Sequence, residues 1–299
     1  MPKKKKRVSV RSGGRLRAPV MWYGGKGNML KKILPLLSRM QGDVYVEPYF
    51  GAGSVFWSAR PRPVEVVNDL DGDVVNLMRA LQDPERQEKL NFRLQSTPYS
   101  LDEFRLALQT LADASSDKDD RAWAFFVAFN QAFSGKPTSE GRWSRAFTSS
   151  RGMAANASKW IARLNLTGHW HRRILRAQID NRCAIEVIRY WDSKDTVFYI
   201  DPPYAKETRA VGSTDVYSHE CSDEHHRKLV DVLLKIKGLA MLSGYATKMY
   251  DPLEKAGWRL VRWRTAKSSA VRGRRSGIRG RGSALAKVPC TECCWVKDS

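Results

Sequence analysis

The sequence predicts an α/β protein in which a doubly wound sheet is interrupted by an inserted, mainly helical lobe, and three observations predict it. Short apolar runs at Val44-Tyr45-Val46, Val64-Glu65-Val66-Val67, Thr196-Val197-Phe198-Tyr199-Ile200 and Leu239-Ala240-Met241-Leu242-Ser243 have the length and composition of buried strands. Helical stripes alternate with them. Leu30, Ile33, Leu34 and Leu37 precede the Val44 run; Leu229, Val232, Leu233 and Ile236 follow Ser222, a predicted N-cap, and Gly238 ends that helix. The third observation is a break in the alternation from about 93 to 182, where helix-like stretches such as 123–129 and a polar loop over 134–151 replace it. The predicted units are therefore an arm (1–18), a first half (19–92), the insert (93–182) and a second half (183–299) carrying a basic loop at about 266–287.

The first strand runs through Glu47-Pro48 into Tyr49-Phe50-Gly51-Ala52-Gly53-Ser54, after which Val55, Phe56 and Trp57 open a helix. Strand, glycine loop and helix form a nucleotide-binding arrangement. The spacing lacks the third glycine of a dinucleotide site and the lysine of a phosphate loop, so a ligand without a pyrophosphate fits better. Sixteen residues beyond Gly53, the next strand ends in Asn68-Asp69, where a carboxylate can accept hydrogen bonds from both hydroxyls of a ribose. The alternative is structural: Gly51 and Gly53 as turn glycines, and Asp69 capping a helix that begins near Asp73.

The strand 196–200 ends in Asp201-Pro202-Pro203-Tyr204. The prolines fix the turn and restrict the residue before each of them, which directs backbone carbonyls inward beside the Asp201 carboxylate. Tyr204 adds an aromatic face. A planar exocyclic amine is a poor nucleophile because its lone pair is delocalised into the ring, and such a turn can grip, polarise and orient it. The bland alternative is a proline-rich turn closing a buried strand.

A formal charge of +21 is concentrated rather than spread. Residues 1–18 hold eight Lys or Arg and residues 259–287 hold ten, with no acids in either, leaving +3 for the rest. Two such segments read as grips for phosphate. The run from Arg272 through Arg274, Arg275, Arg279 and Arg281 is rich in glycine and would order on contact with nucleic acid, adding salt-dependent affinity without sequence readout. A solvated loop is the alternative. The acidic stretch 113–120 is expected to face solvent away from such a partner.

With 299 residues and 42% hydrophobic content the chain can bury one large core with a smaller lobe. No apolar run reaches eighteen residues, so no membrane span is expected, and the basic start lacks the apolar centre of a secretory signal. Residues 1–8 look like a nuclear-import signal, natural or engineered; a nuclear location follows if it acts in a eukaryotic cell. Five cysteines fit a reducing compartment. Cys290 and Cys293 have C-x-x-C spacing, but no further ligand pair accompanies them, and no metal is expected. His169 and His171 lie near a basic stretch and His225 and His226 on a predicted helix, without ligand geometry.

Four segments in order resemble the adenine-specific DNA methyltransferases of the Dam type. Trp22-Tyr23-Gly24-Gly25-Lys26 looks like the family's W-x-G-G-K segment, Glu47 to Phe56 like its E-P-F-x-G-x-G-S-V-F block, Asp201 to Tyr204 is its DPPY turn, and Thr291-Glu292-Cys293-Cys294-Trp295 looks like its terminal T-E-x-x-W strand. Tyr49 departs from the usual Phe and adds a hydroxyl that needs a partner if buried. The resemblance implies a Rossmann-like S-adenosylmethionine-dependent methyltransferase sheet, with Trp22, Lys26, Tyr49, Gly51, Gly53, Asp69 and Asp201 holding S-adenosyl-L-methionine. It also implies that Asp201, Pro202, Pro203 and Tyr204 engage an adenine flipped out of double-stranded DNA. Within the insert, Lys136 resembles a phosphate contact, Arg142 and Arg145 candidates for base edges, and Trp143 either a wedge or a small-core residue; Arg272, Arg274 and Arg275 complete the expected DNA-binding set. Cytosine-amine methylation usually carries Ser where this chain has Asp201, and glutamine-amide methylation Asn. Methylation of RNA adenine, and a catalytically silent DNA-binding relative, are also compatible with these residues. A bacterial or phage-infected cytoplasm is the family's expected setting; neither a target sequence nor a protein partner follows from the residues.

Overall fold

The computed structural model describes residues 15–204, 221–266 and 289–298, so most of the N-terminal arm and the cations Arg272, Arg274 and Arg275 lie outside the described residues. The chain opens with α1 (Leu30–Leu37), β1 (Val44–Glu47), α2 (Ser54–Ser58), β2 (Val64–Asn68) and α3 (Gly72–Gln82). A helical stretch follows, comprising α4 (Pro84–Gln95), α5 (Leu101–Ala112), α6 (Lys118–Gln131), a hairpin of β3 (Ser149–Ser150) and β4 (Met153–Ala154), α7 (Ala155–Leu164) and α8 (Thr167–Ile174). Then come β5 (Ala177–Asp180), α9 (Ala184–Trp191), β6 (Thr196–Ile200), α10 (Asp223–Leu233), β7 (Leu239–Tyr245), α11 (Asp251–Lys255), β8 (Arg259–Ala266) and β9 (Pro289–Lys297).

Seven strands form one sheet in the order β5-β2-β1-β6-β7-β9-β8. The first five are parallel, and β9 inserts antiparallel between β7 and β8. Parallel strands covered on both faces read as continuous apolar runs, and β6 is buried at all five positions. Successive side chains point to opposite faces. Val197 and Tyr199 thus join Val67, Met241 and Cys294 in a core with helices of the α1, α3 and α6 layer. Phe198 and Ile200 join Val46, Leu242, Cys293 and Trp295 under α9 and α10. Cys293 and Cys294 are therefore packing residues of two different cores.

Helix α6 is the centre of the helical layer, with every residue from Ala122 to Ala128 buried. Large aromatics fill that layer because their polar edges find acceptors. Trp123 Nε1 donates to Thr97 Oγ1 at 2.9 Å, Trp160 Nε1 to the Thr97 carbonyl at 3.0 Å, and Trp170 Nε1 to the Arg17 carbonyl at 2.7 Å.

Two details differ from the sequence expectation. Residues 177–180, expected within the insert, form β5 and pair in parallel with β2 at the sheet edge. Only Ala177 of this strand is fully buried, so its apolar signal is weak. The helix after Ser222 is capped as expected, with the Ser222 hydroxyl accepting from the His225 amide, but ends at Leu233; the amides of Lys237 and Gly238 then donate to Asp192. The acidic stretch 113–120 is largely exposed and also serves the fold. Asp117 caps α6, Asp119 pairs with Arg86 at 2.5 Å, and Asp120 pairs with Arg93.

One buried ion pair fastens α8 to the sheet. Arg173 reaches Glu65 of β2 at 2.5 and 2.7 Å, donates to the Phe56 carbonyl at 3.1 Å and covers the Phe56 ring. Glu65 is 1% exposed, so removing the cation strands a carboxylate in the interior. Arg173→Met is expected to cost ~3–5 kcal/mol in urea unfolding, and Arg173→Met combined with Glu65→Leu to regain most of it; an additive double loss would contradict this account.

Candidate active site

The carboxyl ends of β1 and β6 lie side by side where the strand order reverses, and the loops leaving them diverge into a crevice. Lining it are Trp22 to Lys26, Glu47 to Val55, Asp69 to Asp71, Tyr199 and Asp201 to Tyr204, with Cys183, Cys221 and His225 closing one side. Every residue that the sequence nominated for cofactor or target chemistry therefore borders one cavity.

Its glycine wall is set by close approach. Gly51 (φ 49°) and Gly53 (φ 65°) are left-handed; a Cβ on Gly51 would stand 2.9 Å from Trp22 Nε1, and one on Gly53 would overlap the Phe50 ring. Trp22 is in turn stacked on Phe129 of α6, with centroids 5.0 Å apart. Asp69 holds the loop from below. One carboxylate oxygen accepts from the Gly51 amide at 2.6 Å and the other from the Asp71 amide at 2.9 Å. A carboxylate oxygen has two acceptor sites, so this bracing is compatible with further hydrogen bonds from a ribose. The cap of α3 is Asp71, not Asp69. The Tyr49 hydroxyl has the partner that its burial requires, His225 Nε2 at 2.7 Å.

At the opposite wall Lys26 is buried with its ammonium on both oxygens of Asp201, at 2.6 and 2.7 Å, and on the Gly24 carbonyl at 3.4 Å. It also lies over the Tyr204 ring at 4.8 Å and 3.7 Å from Glu292 of β9. Burial pushes the Asp201 carboxyl above its ordinary range, and the Lys26 charge opposes that rise. Tyr204 donates its hydroxyl to Glu292 and meets the edge of Tyr245 at 4.6 Å. Glu47, on the floor, accepts from Tyr45 and is pushed up to about 8 by desolvation, with the Asp201 charge adding to the rise.

Sequence reasoning misses two features. It gives Lys26 to a ligand, whereas the pairing with Asp201, 175 residues away, has no local signature. Glu292 enters the sequence reading only within the T-E-x-x-W strand, without a role, although an acid at the head of the buried run Cys293-Cys294-Trp295-Val296 could have marked it as paired.

Of the expected DNA-contacting residues, Lys136, Arg142, Trp143 and Arg145 fall in the segment after α6, and Arg272, Arg274 and Arg275 lie outside the described residues. Lys136 sits over the ring of Tyr23, 3.4 Å from its centroid, and Arg142 donates to the Phe133 carbonyl at 3.1 Å. Trp143 is half-buried, donates to Gln131 Oε1 at 3.1 Å and tilts against Tyr99, which is the small-core alternative. Arg145 is exposed. The polar loop also contains the β3–β4 hairpin, turned by Arg151 (φ 55°) and Gly152 (φ 75°), with Phe147 and Met153 exposed beside it. No helix among the described residues is long and apolar enough to cross a membrane.

A family model described as D12 class N6 adenine-specific DNA methyltransferase matches residues 22–255 of this chain. No curated protein matches it.

The shift of Glu47 has a consequence for stability. Between about pH 4.5 and 8 the folded chain holds a proton on Glu47 that the unfolded chain releases, so this group's contribution falls as pH rises. Glu47→Gln is expected to remove a slope of ~1.4 kcal/mol per pH unit from that window in unfolding measured at several pH values; an unchanged slope would place the Glu47 proton elsewhere.

Proposed function

The chain belongs to the D12 class of N6 adenine-specific DNA methyltransferases, and from that premise we propose that it uses S-adenosylmethionine to methylate an adenine flipped into the crevice beside Asp201. The observation that carries the proposal is the convergence of the glycine loop, the Asp69 carboxylate and the Asp201 to Tyr204 turn on one cavity at the switch point of the sheet. The cavity suits the cofactor: a Cβ at Gly51 or Gly53 would fill the cradle, Asp69 is aimed at a ribose position, and Trp22 and Tyr49 supply aromatic walls. When bound, S-adenosylmethionine supplies an electrophilic methyl group on a sulfonium.

The chain's own residues do the rest. Asp201 and the Pro202 carbonyl accept the two N–H bonds of the adenine amine, which draws the nitrogen lone pair out of the ring and aims it. Tyr204 stacks on the base. Flipping is required because the amine is otherwise buried within the duplex. No enzyme nucleophile is needed for the transfer, and the surplus amine proton leaves through Asp201 to water. The half-buried turns with Lys136, Arg142 and Arg145, and the Arg272, Arg274 and Arg275 segment, serve as phosphate and base-edge contacts, in keeping with the concentration of positive charge. Trp143 acts through packing, given its bond to Gln131. A first half (19–92), a recognition insert from 93 and a second half from 183 describe the division of labour.

Incubation with labelled S-adenosylmethionine and duplex DNA is expected to yield N6-methyladenine on nucleoside analysis, whereas label confined to cytosine or RNA would overturn the substrate assignment. Asp201→Asn keeps the shape but removes the charge, and should lower transfer by ~10²–10³-fold with DNA affinity little changed. Wild-type turnover in that variant would remove Asp201 from the chemistry.

A further inference from the structure

The Lys26–Asp201 pair poses a problem for the reaction. The ammonium occupies both Asp201 oxygens and covers the Tyr204 ring. A base cannot lay its amine on that carboxylate and its face on that ring until the cation withdraws. Lys26 is 5% exposed, so it cannot withdraw into water without rearrangement, and a buried ammonium without a counter-charge is costly. Among the described residues a second carboxylate faces it: Glu292, with Oε1 at 3.7 Å.

Glu292 lies beyond the stretch matched by the family model and does not line the cavity. Its strand β9 pairs it with Tyr245 on one side and Trp263 on the other. The oxygen that faces Lys26 also accepts the Tyr204 hydroxyl, while Tyr245 meets the Tyr204 ring edge. One carboxylate is thus connected to both groups that must rearrange. Its side chain is 8% exposed, and burial raises its proton affinity while Lys26 and Tyr204 oppose that rise.

We propose that Glu292 is a positioning residue that takes Lys26 over from Asp201 when a target amine arrives, and fixes the Tyr204 ring for stacking. Lys26 would move by roughly 1 Å, the difference between its present distance to Glu292 and a hydrogen bond. No bond is made or broken; one ion pair is exchanged for another, and Asp201 is released as an acceptor. The proposal rests on the reading that Asp201 and Tyr204 hold the target base.

Glu292→Gln, Glu292→Ala, Tyr204→Phe and the Tyr204→Phe with Glu292→Ala double variant of the full chain would be compared on a duplex whose methylated position has been mapped. Glu292→Gln retains an acceptor for Tyr204 but not the charge. It should slow single-turnover transfer roughly 10- to 100-fold while the dissociation constant for S-adenosylmethionine changes less than about 3-fold, as suits a residue outside the cavity. Tyr204→Phe should cost little further in the Glu292→Ala background.

The titratable groups around Asp201 are Lys26, Glu292 and Glu47, with Tyr199 and Tyr204 as neutral neighbours. Removing the Glu292 charge lowers the Asp201 pKa, so the acid limb of the rate profile should move to lower pH in Glu292→Gln. A Glu292 that is protonated, acting only by packing and its bond to Tyr204, would leave that limb in place. A wild-type rate in Glu292→Gln, or an additive double variant with an unmoved limb, would overturn the proposal. If Asp201→Asn is inactive while Glu292→Gln is fully active, this inference alone fails; if both are fully active, the reading of the crevice fails with it.

Discussion

A lysine ammonium buried against a carboxylate at the mouth of the sheet is the constraint on which this structure turns. Lys26 and Asp201 come from distant parts of the chain, and neither is comfortable alone in so dry a position: each would face a desolvation cost of several kcal/mol without the other. Their pairing draws the turn around Lys26 onto the β6 loop and so closes the crevice between the two halves of the sheet. Glu292 and Tyr204 extend the same network to β9, which joins the reversed strands at the far side of the sheet to the site. Such a network makes poor use of burial as a source of stability. Its value lies in holding acceptor oxygens and a ring in a fixed relation while keeping one cation available to move.

The two hydrophobic cores supply what that network does not. Because β6 and β7 are covered on both faces, the strand ends that carry the chemistry project from the buried centre of the sheet. The glycine loop gains its shape from the same packing. Phe50 is locked among Phe56 and Trp57, and it is this ring that leaves no room for a side chain at Gly53. Asp69 then secures the loop through its amides, so the carboxylate nominated for a ribose is also a structural brace.

The helical layer has a different relation to function. Helix α6 is buried over its central length and delivers Phe125 and Phe129 to Trp22, so the wall of the crevice and the support of the turns proposed to contact DNA share one element. The half-buried Trp143, bonded to Gln131, belongs to that support.

By itself the sequence determined the α/β class, the strands at 44, 64, 196 and 239, the membership of the crevice and the family. These rest on local signals: strand runs with continuous burial, glycines that tolerate positive φ, and a proline-fixed turn. It did not determine β5, whose side chains are mostly half-exposed and leave a faint pattern, nor the end of α10, where Asp192 from another loop captures the next amides. Least of all could it assign partners to Lys26, Tyr49 or the acids at 113–120. Those are fixed by distances between residues far apart in the chain, and a charge or hydroxyl carries no mark of the group it will meet once water is removed. Only the tertiary structure decided that Lys26 would rest on Asp201 with Glu292 beside it, because only the packed sheet brings the Lys26 turn, the end of β6 and β9 together.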